Sequence, residues 1–111
     1  MPLGTGKEPV AILVEVTAKD GKYEELKAAL QTHAATCLQE EVGCTRFEVL
    51  VPVTREGARE KGVGGRKLWL TEQYTNEEAV AVHQGTARMQ VLGKKLGELT
   101  DDIRIVYGLQ A

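Results

Sequence analysis

The stretch Lys67-Leu68-Trp69-Leu70-Thr71-Glu72-Gln73-Tyr74 runs straight into Thr75-Asn76-Glu77-Glu78-Ala79-Val80-Ala81-Val82-His83. Its first half alternates: Leu68, Leu70, Glu72 and Tyr74 share one side and Trp69, Thr71 and Gln73 the other, the period of a strand. The period then changes. Thr75 and Asn76 offer a helix cap, Glu77 and Glu78 place acid in the first turn, and the Ala/Val run to His83 reads as helix. A strand therefore feeds a helix within two residues, gathering a carboxylate, a phenol and an imidazole near one corner.

Upstream, Val10 to Thr17 (VAILVEVT) is β-branched and almost wholly apolar, the pattern of a strand covered on both faces. Asp20-Gly21 turns the chain. Lys22 to Glu40 carries Tyr23, Leu26, Leu30, Ala34, Cys37 and Leu38 at helical spacing, with Lys, Glu and Gln opposite. Gly43 follows, in the position expected of a left-handed residue that closes a helix. Thr45 to Val51 alternates again, with Phe47, Val49 and Val51 on one face. Pro52 to Arg66 is polar, basic and glycine-containing, longer than a hairpin loop needs, and is expected to project as a mobile tip or flap.

Downstream, Gly85-Thr86 interrupts the helix and Thr86 can cap a renewed run through Met89, Leu92, Leu96 and Leu99. Ile103 to Leu109 forms the last strand. The order β-α-β-β-α-β is an α+β, ferredoxin-like plan: one four-stranded antiparallel sheet with two helices on one face. Residues 1–9 read as a flexible arm and 10–111 as a single domain. Two helices cover only one face of four strands, yet whichever face of the first strand turns outward shows either Val10, Ile12, Val14 and Val16 or Ala11 and Leu13, and the third strand offers Leu68 and Leu70 or Trp69. Each Val or Leu left wet forgoes roughly 1.5–3 kcal/mol, so a homodimer packed sheet against sheet is expected.

With 42% hydrophobic and 27% charged residues and a net charge of −2 spread evenly, the chain has no basic face for nucleic acid. The longest apolar run, Val10 to Val14, is far short of the ~20 residues of a membrane helix. A cytoplasmic location is expected. Cys37 and Cys44 are read as small buried hydrophobes, and two Cys and two His so scattered give no zinc pattern.

The turn Lys19-Asp20-Gly21-Lys22, the segment Glu41 to Val49, and Leu70-Thr71-Glu72-Gln73-Tyr74 with Glu78-Ala79 and His83 together resemble the antibiotic biosynthesis monooxygenase (ABM) family of dimeric α/β barrels, which includes quinol and anthrone monooxygenases. The resemblance spans about residues 10 to 107, and Glu72, Tyr74, Ala79 and His83 follow its order of acid, aromatic, Ala and His. It implies oxygenation of a small quinol- or anthrone-like aromatic by dioxygen without metal or other cofactor. The haem-degrading pattern of the superfamily is not matched: the first strand has no Asn and the second half of the last helix no His.

On this reading the catalytic candidates are His83, as proton acceptor or orienting group because imidazole titrates near neutral pH, Glu72, and Tyr74 as donor to an oxyanion. Phe47, Met89 and Leu92 are candidates for an apolar, substrate-binding wall. Each has a plainer reading: His83 as a hydrogen-bonded helix residue, Glu72 as an ion pair with Arg46, Arg104 or a dimer mate, Tyr74 as a core aromatic with a wet hydroxyl, the others as core. Trp69 belongs to the dimer seam and His33 to structure. The competing functions are a non-catalytic ligand-binding dimeric barrel and an isomerase or lyase of the same fold.

Overall fold

In a computed structural model, which describes residues 3–58 and 65–111, the elements are β1 (Val10–Ala18), α1 (Tyr23–Glu40), β2 (Cys44–Leu50), β3 (Lys67–Tyr74), α2 (Glu77–Gln84), α3 (Ala87–Leu99) and β4 (Thr100–Leu109). The strands form one sheet of order β2-β3-β1-β4, with β1 antiparallel to both β3 and β4 and β2 antiparallel to β3. This is the expected α+β ferredoxin-like plan with one refinement. The second helix is two helices, α2 and α3, because Gly85 ends the first and the Thr86 side chain caps the second by accepting from the Met89 amide. Asn76 caps α2 in the same way, accepting from the Ala79 amide.

The core lies between the helices and one sheet face, and it is built from alternate residues: Val10, Ile12, Val14 and Val16 of β1, and Leu68, Leu70, Glu72 and Tyr74 of β3, are buried. α1 contributes Leu26, Leu30, His33, Ala34 and Cys37 from its inner stripe. In β2 the register shifts between Cys44 and Arg46, a bulge that lets Cys44 and Phe47 both reach the core although they are an odd number of residues apart. In the N-terminal arm residues 3–6 make a turn and Leu3 packs against the core. The flap expected over 52–66 falls partly on residues 59–64, outside the described residues; at its end Arg66 is tied to the Ala18 carbonyl at 2.7 Å and to Asp101 at 3.0 Å.

β1 is covered on one face only, contrary to the reading from its apolar run. Leu13 is 52% exposed on the far face, where Trp69 also lies, its indole donating to Glu15 at 2.9 Å. β4 adds a second uncovered surface. Ile103, Ile105 and Tyr107 stand opposite Val16, Val14 and Ile12 and so face the helix side, yet the helices stop short of this edge strand and Ile105 stays 51% exposed.

Gly43 does not close α1 with a left-handed residue; the helix ends at Glu41, which is already extended (φ −105°, ψ 107°). The glycine is needed for space. A Cβ on it would stand 2.4 Å from the Ala79 Cβ of α2, so α2 rests directly on the backbone between α1 and β2. Gly43→Ala is therefore expected to destabilise the protein by about 1–3 kcal/mol, the usual magnitude for overpacking, measured by urea denaturation; a midpoint equal to wild type would show that α2 does not depend on this contact.

Candidate active site

α2 sits on Gly43 and carries His83 into the core, where the end of α1 and the middle of β3 converge on its ring. The Glu41 carboxylate is 2.9 Å from His83 Nδ1, and Arg88 of α3 closes on the same carboxylate while reaching Glu40 at 2.8 Å. A carboxylate accepts and cannot donate, so Nδ1 carries a proton, and in the neutral ring Nε2 holds the lone pair. That atom faces Glu72 Oε1 at 4.0 Å. The gap is too long for a direct hydrogen bond.

Of the ion-pair partners considered from the sequence, Arg46 pairs with Glu48 at 3.6 Å, and Glu72 accepts from the Tyr74 hydroxyl at 2.6 Å. Burial pushes Glu72 up to about 7, against the Tyr74 hydrogen bond, with Glu41 adding to the rise. Burial and Glu72 together drive the Tyr74 phenol well above its ordinary range. Its hydroxyl is neither wet nor free for an oxyanion; it is spent on Glu72.

Beside His83 and Glu72 lies a cavity of about 140 Å³ whose wall includes Phe47, Met89 and Leu92, the three residues expected there. Tyr74 is not on that wall and adjoins it through Glu72 and through the His83 ring, 5.1 Å between centroids. Ile103, Ile105 and Tyr107 form the side open toward the uncovered edge. An apolar cavity of roughly 150 Å³ holds one benzene ring, so this one matches a single aromatic ring.

His33 is not on the rim of its helix stripe. It is buried, edge-on to Phe47 with ring centroids 5.3 Å apart and 5.6 Å from His83. Burial lowers it to about 4, with the neighbouring Arg88 guanidinium acting in the same direction. The sequence reading also missed Glu41 and Arg88 as parts of the site. Both sit at helix ends among other charged residues, and only the small pair Gly43 and Ala79, which lets two helices meet there, hints that Glu41 is enclosed.

A four-stranded antiparallel sheet with its helices on one face, and a histidine-carboxylate cavity between them, defines a small α+β protein of the ferredoxin-like class. The chain belongs to the antibiotic biosynthesis monooxygenase family, whose model matches residues 9–95. No curated protein matches it. Among solved structures it is similar to a conserved Bacteroides thetaiotaomicron protein of unknown function (19% identity, 94% of this chain and 99% of that one, TM-score 0.79). It is also similar to PA3566 of Pseudomonas aeruginosa (19%, 97% and 99%, TM-score 0.76). A third is a Caulobacter crescentus protein provisionally named an antibiotic biosynthesis monooxygenase (19%, 96% and 92%, TM-score 0.79). At these identities the likeness is one of fold.

The buried titrating pair leaves a signature in stability. Glu72 is raised to about 7 in the fold against an ordinary 4.5, so between those values the unfolded chain has lost a proton the folded one keeps, and stability falls as pH rises. His33 is lowered from 6.5 to about 4, so across that window the unfolded chain holds the extra proton and stability rises with pH. The two slopes oppose each other. Glu72→Gln should remove the first and leave stability climbing between about pH 4 and 6.5 by on the order of 1 kcal/mol per pH unit, read by denaturation at stepped pH; a variant profile parallel to wild type would contradict the burial of one or both groups.

Proposed function

We propose that this protein is a cofactor-independent monooxygenase for a hydroxylated single-ring aromatic of the quinol type. The observation that carries the reading is the His83 imidazole, its Nδ1 proton held by Glu41 and its bare Nε2 directed at Glu72 beside an apolar, ring-sized cavity. His83 Nε2 takes the substrate hydroxyl proton, and the apolar wall of Phe47, Met89 and Leu92 orients the ring and limits water. The resulting phenolate passes one electron to dioxygen, and the radical pair combines at a ring carbon. The imidazolium returns its proton, giving a hydroperoxide. His83 then removes the hydrogen on that carbon as the O–O bond breaks; the leaving hydroxide takes the Glu72 proton and departs as water, and imidazolium restores the Glu72 acid. The sum is one ring C–H and the hydroxyl O–H lost and two C=O groups formed, one oxygen atom of dioxygen entering the ring product and the other leaving as water. A carboxyl that titrates near 7 suits this donor role, and Tyr74 positions it.

The cavity volume favours one ring over the three of an anthrone unless the β4 side widens. Oxygen uptake is expected with a mono-ring quinol, and His83→Ala should lower the rate by roughly 10²–10⁴, the span of a lost general base. An unchanged rate in that variant, or turnover under nitrogen, would remove this reading in favour of a simple binder or an isomerase.

The same proposal includes a homodimer. Leu13, Trp69 and Val106, the last 58% exposed, line an apolar groove on the outer sheet face, and the cavity side at Ile105 and Tyr107 is open. A second copy set against the sheet and reaching round β4 shelters both. Sedimentation equilibrium should give twice the chain mass at micromolar concentration, and Leu13→Asp should shift it toward monomer; a wild-type monomer would contradict the pairing.

A further inference from the structure

Three metal-binding side chains that the sequence leaves far apart meet in the core. His33 and Cys37 stand on successive turns of α1 and His83 comes from α2, with one nitrogen or sulfur atom of each within 4.8 Å of the others and all three residues buried. Cys37 Sγ lies 3.4 Å from His33 Nε2 and 3.7 Å from His83 Nδ1. In a tetrahedral zinc site with Zn–N of about 2.0–2.1 Å and Zn–S of about 2.3 Å, sulfur and nitrogen are separated by roughly 3.5 Å. The two observed spacings straddle that value before any ion is present. A fourth donor of the right kind is adjacent, because Glu41 Oε1 is 2.9 Å from His83 Nδ1 and needs to withdraw by only a few tenths of an ångström to share an ion with it.

We propose that His33, Cys37, His83 and Glu41 bind a zinc ion, which enters along the groove between α1 and α3. That groove is lined by His33, Thr36, Arg88 and Leu92, so His33 borders a route to the surface. Thiolate and imidazole select zinc over magnesium or calcium, and two anionic ligands match its charge. Low basicity keeps His33 neutral with a lone pair available near pH 7. The Cys37 thiol, pushed up to about 12 by burial and by Glu41, gives its proton to solvent when the Zn–S bond forms. The Nδ1 proton of His83 moves to Nε2, so one proton is released in all.

Among the described residues Arg88 is the guanidinium packed against the site, with Nη2 3.9 Å from Cys37 Sγ and in contact with Glu41. It already holds Glu40 at 2.8 Å, and its Nε is buried without a hydrogen-bond partner. Turning the guanidinium outward keeps the Glu40 pair and wets that nitrogen, which makes room for the ion. Occupancy would convert Nε2 of His83 from acceptor to donor, so the same ion would silence the base invoked under the proposed function.

The test does not need turnover, so its failure and that of the oxygenation reading are distinguishable. Chelator-treated protein is titrated with Co²⁺ and then with Zn²⁺. One Co²⁺ per chain is expected, with a thiolate-to-cobalt charge-transfer band and the intense visible bands of tetrahedral cobalt, displaced by equimolar Zn²⁺ and not by excess Mg²⁺. Apparent affinity should rise about tenfold per pH unit, following the single thiol proton. Cys37→Ser should abolish the charge-transfer band and weaken binding at least about tenfold, while Cys44→Ala keeps both. No band in the wild-type protein, or a band that survives Cys37→Ser, would overturn the assignment whether or not other variants fold.

Discussion

A buried carboxylate must be satisfied where it lies, and in this protein Glu41 is satisfied by one imidazole and one guanidinium brought from other helices. The rest of the architecture follows from that demand. α1 has to end at the point where α2 begins its descent, and α2 has to rest against Gly43 with nothing larger than Ala79 between them. The break at Gly85-Thr86 then re-aims the chain so that α3 presents Arg88 to the same carboxylate. Removing either partner would strand a charge in the core, which is far more damaging than losing a surface pair.

Satisfying Glu41 also decides what His83 offers. With Nδ1 committed, Nε2 is the reactive edge of the ring, and it looks across 4.0 Å at a carboxyl whose proton is kept by burial. Tyr74 fixes that carboxyl from behind. Base, acid and positioning hydroxyl thus form a line from α2 to β3, with the apolar cavity alongside. His33, neutral through burial, fills the space behind His83 with a lone pair and no charge. A protonated His33 would repel an imidazolium at His83, so its low basicity is compatible with proton traffic next door.

The sheet shows a different imbalance. Its helix-side face is dry under β1 and β3, while β4 carries Ile103, Ile105 and Tyr107 on that same side with little over them. The uncovered strand borders the cavity, so whatever shelters it also shapes the entrance to the site. Fold completion and substrate access meet at one edge.

The alternations in VAILVEVT and KLWLTEQY and the helical spacing of Leu26, Leu30, Ala34 and Cys37 were enough to establish the layer plan, because backbone period and burial are local matters. They also placed Glu72 and Tyr74 on the inner face with Leu68 and Leu70, and identified Asn76 and Thr86 as caps. They overstated the covering of β1, since an apolar run cannot say which neighbours a strand will have. Gly43 was assigned to the wrong cause, because close approach between two helices is invisible along the chain. The partners of His83, the burial of His33, and the meeting of both with Cys37 and Glu41 come from contacts between residues up to 50 positions apart. Sequence specified the chemistry available in each element; only packing the helices on one side of the sheet decided which of those groups would be shut away from water together, and so which can act on one another.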